Sequence, residues 1–412
     1  MNMTRIRLCY RAIAVIALIT VLIVASTRLR ADTGTCGGES VTLPFTDVPS
    51  SNVFFCSIAA AYFSGLSNGT SATTYSPTAN VTREQMAAFV SRTLDQSLRR
   101  SRRAALDQFW TPRGDDVPTT PVGHFPVLVK SDGADLWVAN RSSGTVSRVR
   151  ASDGRLLETW TGAGAAYGVL VARGRIYVTG GLSSGRLYSL NPTQPAGPVT
   201  LVADQLGDQS IGIAFDGARI WTTNIPGSVS IIRFSLIPAC NPCVTTITEG
   251  FVSPIGILYD GSHIWVADRG DNMLKRLNSD GSIAHSVPVP GIYGGPAFDG
   301  TNIWVPLNGP RVQVVRVKDT QGNPLAEPFL LAQLTGNGLD RPEAAAFDGQ
   351  RILVTNFDGD SVSLWKAADL TPLGSFSLLP SPFSSPVHPY GACSDGVNFW
   401  VTLQETDRLA RF

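Results

Sequence analysis

From residue 106 onward, apolar and polar positions alternate in short runs rich in β-branched and aromatic residues. Gly, Asn and Asp bound these runs, which is the pattern of half-buried strands. One stretch shows the unit: SIGIAF and RIWTTN flank Asp216-Gly217, a hairpin signal, and SVSIIRF and CVTTITE follow. The pattern changes upstream. Between Asn52 and Ser64 apolar residues recur at helical spacing (Val53, Phe54, Ile58, Ala61, Tyr62), and Gly65 stops that helix. Thr82 then reads as an N-cap with Gln85 at the third helical position; Met86, Phe89, Val90 and Leu94 form the stripe of a second helix. Ala12 to Ala25 is apolar apart from Thr20 and follows Arg5, Arg7 and Arg11. That run is short for a spanning helix, which needs about 20 residues, and fits a signal segment over residues 1–31, cleaved or kept as an anchor.

The strand region is repetitive. An Asp-Gly pair recurs at Asp132, Asp216, Asp260, Asp299, Asp348 and Asp395, with Arg173-Gly174 filling a further slot. Successive spacings are 41, 43, 44, 39, 49 and 47 residues, so there are seven units. Five residues after the Asp stands Trp137, Trp221, Trp265, Trp304 or Trp400; Leu353 and Tyr177 take that place in the other two units. A large residue held at one repeated position is a packing residue between units. Four strands per unit of this length is the period of a propeller blade. The predicted fold is therefore mainly β: a seven-bladed β-propeller over 106–412, preceded by a small helical module. A ring must close, because an open array leaves sheet edges unpaired. The last unit has three strands, ending at Phe412. Its missing outer strand is expected from Leu106–Thr111, whose sequence is similar to LLETWTG of the first unit.

Composition narrows the function. Charged residues are 16% and apolar residues 43%, which excludes a disordered polyelectrolyte. The net charge is +1, but the five arginines of residues 1–31 meet no acid there, so the remainder carries −4. A weakly acidic chain lacks the basic face that nucleic-acid binding needs. In an oxidising compartment Cys36 with Cys56, and Cys240 with Cys243, are candidate disulfides. Cys240 and Cys243 also have half the spacing of a zinc site, but no second pair accompanies them. Cys393 falls in a strand and reads as an inert buried thiol.

Residues 36–98 resemble an S-layer homology (SLH) module. The matching residues are Phe45-Thr46-Asp47-Val48, Ile58, Gly65-Leu66-Ser67-Asn68-Gly69, Tyr75-Ser76-Pro77 and Val81-Thr82-Arg83-Glu84-Gln85. The resemblance implies a helical module that binds cell-wall polysaccharide or a peptidoglycan-linked polymer, with Asp47, Thr82 and Arg83 as contacts. Arg83 would pair with an anionic sugar substituent through a charge-assisted fork. Residues 99–105, with four arginines, form a basic linker.

The repeats resemble the NHL, YVTN and virginiamycin-B-lyase-like propellers, a group that mixes enzymes and binders. The lyase pattern requires a Glu-x-His pair, which is absent, and His263 falls in a hairpin turn on the opposite face. A calcium-dependent, lactonase-like hydrolase is the enzyme alternative. It would place Glu343, Asn140, Asn224, Asp268 and Asn356 around a Ca²⁺ ion in the channel. The favoured reading has no catalysis and no cofactor. The module tethers an exported, envelope-associated protein, and the propeller presents a recognition face to a protein or glycan. That face comprises Arg141, Tyr167, Arg269, Tyr293, Asp358 and Tyr390, on loops entering first strands and leaving second strands.

Overall fold

The computed structural model describes residues 32–36, 39–63, 67, 69–82, 86, 117–234, 242–378 and 386–412. It divides into two units, split after Arg99. The larger is a seven-bladed β-propeller. Seven four-stranded antiparallel sheets follow one another along the chain, six of them meanders from inner to outer strand. Blades 1 to 6 span 126–161, 169–203, 209–247, 254–288, 297–335 and 342–377. Blade 7 takes Pro389–Ser394, Phe399–Leu403 and Arg408–Arg411, and its fourth strand is Thr119–Pro121. Each inner strand packs on the next, and the seventh packs on the first.

The closing strand corrects the sequence expectation. Thr119, Thr120 and Pro121 pair with Ala410, Leu409 and Arg408, whereas Leu106–Thr111 lies outside the described residues. The physical reason is linker length. Only residues 122–125 separate Pro121 from the inner strand of blade 1 at Pro126, a link shorter than the five to eleven residues that join the other blades. A strand ending at Thr111 would leave residues 112–125 to cross the same gap. Asp407 fastens the short link: its carbonyl accepts the Val122 amide at 2.9 Å, and its carboxylate accepts the Phe125 amide at 2.8 Å.

The Asp-Gly pairs build the hairpins at the opposite end. In all six, Asp Oδ1 accepts the backbone amides two and three residues on, as at Asp260 from Ser262 and His263, both at 2.7 Å. The following Gly takes φ between 88° and 103°, a region closed to most side chains. The second carboxylate oxygen then accepts the indole N–H five residues on. The distance is 2.9 Å for Trp137, 2.8 Å for Trp221, Trp265 and Trp304, and 2.7 Å for Trp400. These five indoles are fully buried and pack on the next blade: Trp265 meets Ile303, Val305 and Val315, and Trp400 meets Val129, Leu136 and Val138. Burying one indole is worth about 4–6 kcal/mol before ordering costs. An unpaired N–H in its place would cost about 1–3 kcal/mol.

A second tie joins the blades nearer the channel. Thr179, Thr223, Thr355 and Thr402 stand on second strands. Each accepts an amide of its own inner strand and donates to the carbonyl of the next inner strand, as Thr402 does to Val127 at 2.7 Å. The inner strands approach closely at glycine. A Cβ on Gly391 would sit 2.2 Å from the Val127 carbonyl, and one on Gly168 would sit 2.4 Å from the Ile211 carbonyl.

The N-terminal unit contains a hairpin, Thr33–Cys36 with Glu39–Thr42, and a helix, Phe55–Phe63. The helix buries Phe55, Ile58 and Ala59 against Leu43, Phe45 and Val48. Its apolar stripe is thus rotated from the predicted one: Val53 and Phe54 precede the helix and are exposed. Of the second predicted helix only Met86 is described, and it is helical. Cys36 and Cys56 form the expected disulfide across 20 residues, a constraint on the unfolded chain worth about 3 kcal/mol. No helix among the described residues is long and apolar enough to cross a membrane.

Ring closure is testable by truncation. A chain starting at residue 113 retains Thr119–Pro121, and one starting at 123 lacks it. The second should melt several degrees below the first in calorimetry; equal melting would contradict closure by this strand.

Candidate functional site

At the end of the ring opposite the Asp-Gly hairpins, the loops entering inner strands meet the ends of second strands. One backbone bond recurs there. The residue after a second strand donates its amide to the residue that precedes the inner strand: Arg141 to Phe125, Arg269 to Ser253, Phe357 to Arg341 and Gln404 to His388, at 2.9–3.2 Å. Phe125, Arg341 and His388 each stand directly before a proline at φ between 48° and 56°. This strained placement fixes where their side chains leave the backbone.

The loops surround a cavity of about 280 Å³. Five of the six predicted face residues line it: Arg141, Tyr167, Arg269, Tyr293 and Tyr390. The sixth, Asp358, stands outside the lining and binds Arg341 at 3.0 Å. Arg341, Phe357 and Gln404 also line the cavity and were not predicted. Arg341 had a signal, its place immediately before Pro342, matching Phe125 before Pro126.

Arg341 is the most constrained of the cations. Its guanidinium donates to the Tyr293 hydroxyl at 2.9 Å and lies 4.4 Å from the Phe357 ring centre. Phe357 stacks on His388 with centroids 4.3 Å apart. Arg141 lies over Tyr167 at 5.8 Å and Arg269 over Tyr293 at 6.0 Å. The hydroxyls of Tyr167 and Tyr390 bond to each other, and burial pushes both phenols above their usual range.

Glu343 is only 7% exposed. Its nearest charged partner is Arg341 Nη2 at 3.7 Å. Burial lifts its carboxyl from the ordinary 4.5 to about 7; Arg341 and Arg269 pull it down and Asp358 pushes it up, but burial prevails.

Of the proposed calcium ligands only Glu343 lines the cavity. Asn224 and Asn356 bond within their own blades, whereas Asn140 does so through its amide nitrogen while its Oδ1 is buried with no hydrogen-bond partner among the described residues. Asn140 Nδ2 donates to Thr145 and Ser147, Asn224 Nδ2 to Ser228 and Ser230, and Asn356 Nδ2 to Ser361 and Ser363. Asp268 accepts the amides of Val252, Ser253 and Gly270 and pairs with buried Lys275 at 2.7 Å. These side chains satisfy backbone and hydroxyl groups at the ends of second strands, which is why the same position is polar in several blades. Among the described residues no three or more His, Cys, Asp or Glu groups cluster to hold a metal ion.

In the N-terminal unit Asp47 is occupied by its own chain. Its carboxylate accepts the amides of Tyr75 and Ser76 at 2.8 and 2.7 Å. Burial pushes its carboxyl up, but these amides hold it below its usual range. Asp47 therefore anchors the loop at Tyr75 and Ser76. Thr82 is exposed, and its carbonyl accepts the Met86 amide at 2.9 Å. Arg83 lies outside the described residues, as do Cys240 and the linker 99–105. Cys243 is disulfide-bonded. Cys393 is the expected buried thiol, pushed by burial up to about 12. His263 stands in the Asp260-Gly261 hairpin, at the end away from the cavity.

These features define a propeller carrying a small N-terminal domain. Residues 44–87 match the S-layer homology domain family, which implies association with the cell envelope. The ring resembles the β-propeller domain of Myceliophteria thermophila Cps50 (Swd1), with a TM-score of 0.58 at 12% identity over 72% of this chain and 98% of that one. A streptogramin B lyase structure gives 0.55 at 16% identity over 73% and 99%. A functionally unknown protein from Desulfotomaculum acetoxidans gives 0.52 at 12% identity over 66% and 91%. At such identities the likeness shows the fold alone. No curated protein matches the sequence.

The state of Glu343 gives a stability test. Its folded value lies above its unfolded one, so the folded chain holds this proton more tightly. Its contribution is therefore most favourable below about 4.5 and is lost as pH rises towards about 7. Glu343→Gln should remove that loss, gaining on the order of 3 kcal/mol over the wild type near pH 8 and little near pH 4. Urea denaturation at the two pH values checks this.

Proposed function

We propose that this is an exported, envelope-tethered recognition protein without catalysis. The S-layer homology module holds it to a cell-wall polymer, and the cavity end of the ring binds a protein or glycan. The observation that carries the reading is the content of the cavity. Three arginines and five aromatic rings line it, with Glu343 as the one carboxyl and no Ser, Cys or His among the described lining residues. That set suits holding a ligand through charge-assisted bonds and ring contacts. It lacks the nucleophile and oriented base of a covalent hydrolase. The signal segment 1–31 supports export, and residues 99–105 support a basic link between module and ring.

Co-sedimentation with purified cell walls tests the tether. The full chain should pellet, and a chain lacking residues 36–104 should stay largely in the supernatant; equal pelleting would remove the tethering role. A lactone and ester hydrolysis screen with calcium or EDTA tests the absence of catalysis. Calcium-dependent turnover abolished by Glu343→Ala would replace the recognition reading with the hydrolase one.

A further inference from the structure

The recognition reading leaves the ligand unnamed, and the cavity chemistry narrows it. Two of its cations are unspent. Among the described residues neither Arg141 nor Arg269 has a carboxylate or hydrogen-bond partner for its guanidinium; each only faces a tyrosine ring. Arg341, by contrast, is committed to Asp358 and Tyr293. A guanidinium left without an acceptor beside a cavity is a receptor for an anion.

Glu343 is unspent as well. It is buried and lines the cavity, and makes no hydrogen bond; Arg341 at 3.7 Å is beyond hydrogen-bond range. A buried polar group normally has a partner, so its donor and acceptor capacity is free for a ligand. Apart from Gln404 the rest of the wall is apolar or aromatic, including Leu128, Ile211, Ile255, Tyr293, Phe357 and Tyr390. Such surfaces match the C–H face of a sugar ring. A bare phosphate would leave them uncovered. A folded protein partner engages a broad face of about 800 Å², whereas the unspent groups are gathered in a cavity of about 280 Å³, the scale of a small ligand.

We propose that the cavity binds a saccharide unit carrying a carboxylate: Arg141 and Arg269 take the carboxylate, the aromatic wall takes the ring, and Glu343 bonds a hydroxyl. The proposal rests on the recognition reading and supplies its ligand class. It also fixes a pH dependence. Glu343 is faced by Arg341 and Asp358 of its own blade, by Arg141 and Arg269, and by Tyr167, Tyr293 and Tyr390. With its carboxyl raised to about 7, it is neutral near pH 6 and ionised near pH 8, where it repels the ligand carboxylate.

Isothermal titration of the full chain tests this with three probes: a galacturonic acid disaccharide, the neutral galactose disaccharide and inorganic phosphate. At pH 6 the acidic disaccharide should bind at least about tenfold more tightly than either of the others, as loss of a charge-assisted bond predicts. Arg141→Gln with Arg269→Gln should weaken the acidic probe by about ten- to a hundredfold at an unchanged melting temperature. Moving to pH 8 should weaken it in the wild type and not in Glu343→Gln, a readout that does not depend on the arginine variants folding. Equal affinity for the neutral sugar or for phosphate, or no binding of the acidic disaccharide at millimolar concentration, would overturn the proposal. If it fails while wall pelleting persists, the tethered-recognition reading stands and only the ligand class falls.

Discussion

The architecture depends on one carboxylate used three times over. The Asp of each Asp-Gly hairpin accepts two amides of its own turn with one oxygen and, in five blades, the indole N–H of a buried tryptophan with the other. The first two bonds shape the turn; the third carries that order to the blade interface, because the indole packs on the next sheet. Hairpin geometry and interface packing thus become one requirement, repeated around the ring. The two exceptions keep the logic with other groups. In blade 6, Arg351 donates to Asp348 where the others have an indole, and Phe399 of blade 7 fills the interface beside Leu353. In blade 2, Tyr177 packs on Ile213 and Ile220.

A ring fixed at the hairpin end and tied again by threonine hydroxyls near the channel leaves the opposite loops free to vary. Their backbones are still held, by amide bonds such as Arg141 to Phe125. The side chains that surround the cavity therefore start from set positions, while the tryptophan and threonine ties that join the blades lie elsewhere. That separation lets Arg141 and Arg269 remain without acceptors among the described residues and lets Glu343 tolerate burial that lifts its carboxyl to about 7. Local instability at a cavity is affordable where the stabilising contacts lie elsewhere.

The blade count, the hairpins and the tryptophan interfaces were legible because each rests on residues at fixed spacing. The closing strand was not, because similarity between Leu106–Thr111 and an outer strand says nothing about the length of chain needed to reach Pro126. The internal bonds of the asparagines were missed for a related reason. Residue type announces an oxygen ligand, yet Asn140, Asn224 and Asn356 each face two hydroxyls of the following strand, Ser or Thr at alternate positions, and that same-face pair was the overlooked sign of an internal partner. The cavity was largely legible from loop position alone. Glu343 was seen only as a metal ligand, since burial and the want of a hydrogen bond are properties of the folded ring.

Exchange of the indole protons tests the central claim most directly. In protein labelled with ¹⁵N-tryptophan, Trp137, Trp221, Trp265, Trp304 and Trp400 should show indole N–H groups that exchange only when the ring unfolds, with protection matching the central-strand amides. Indole protons at these five positions that exchange within seconds in the folded protein would contradict the account.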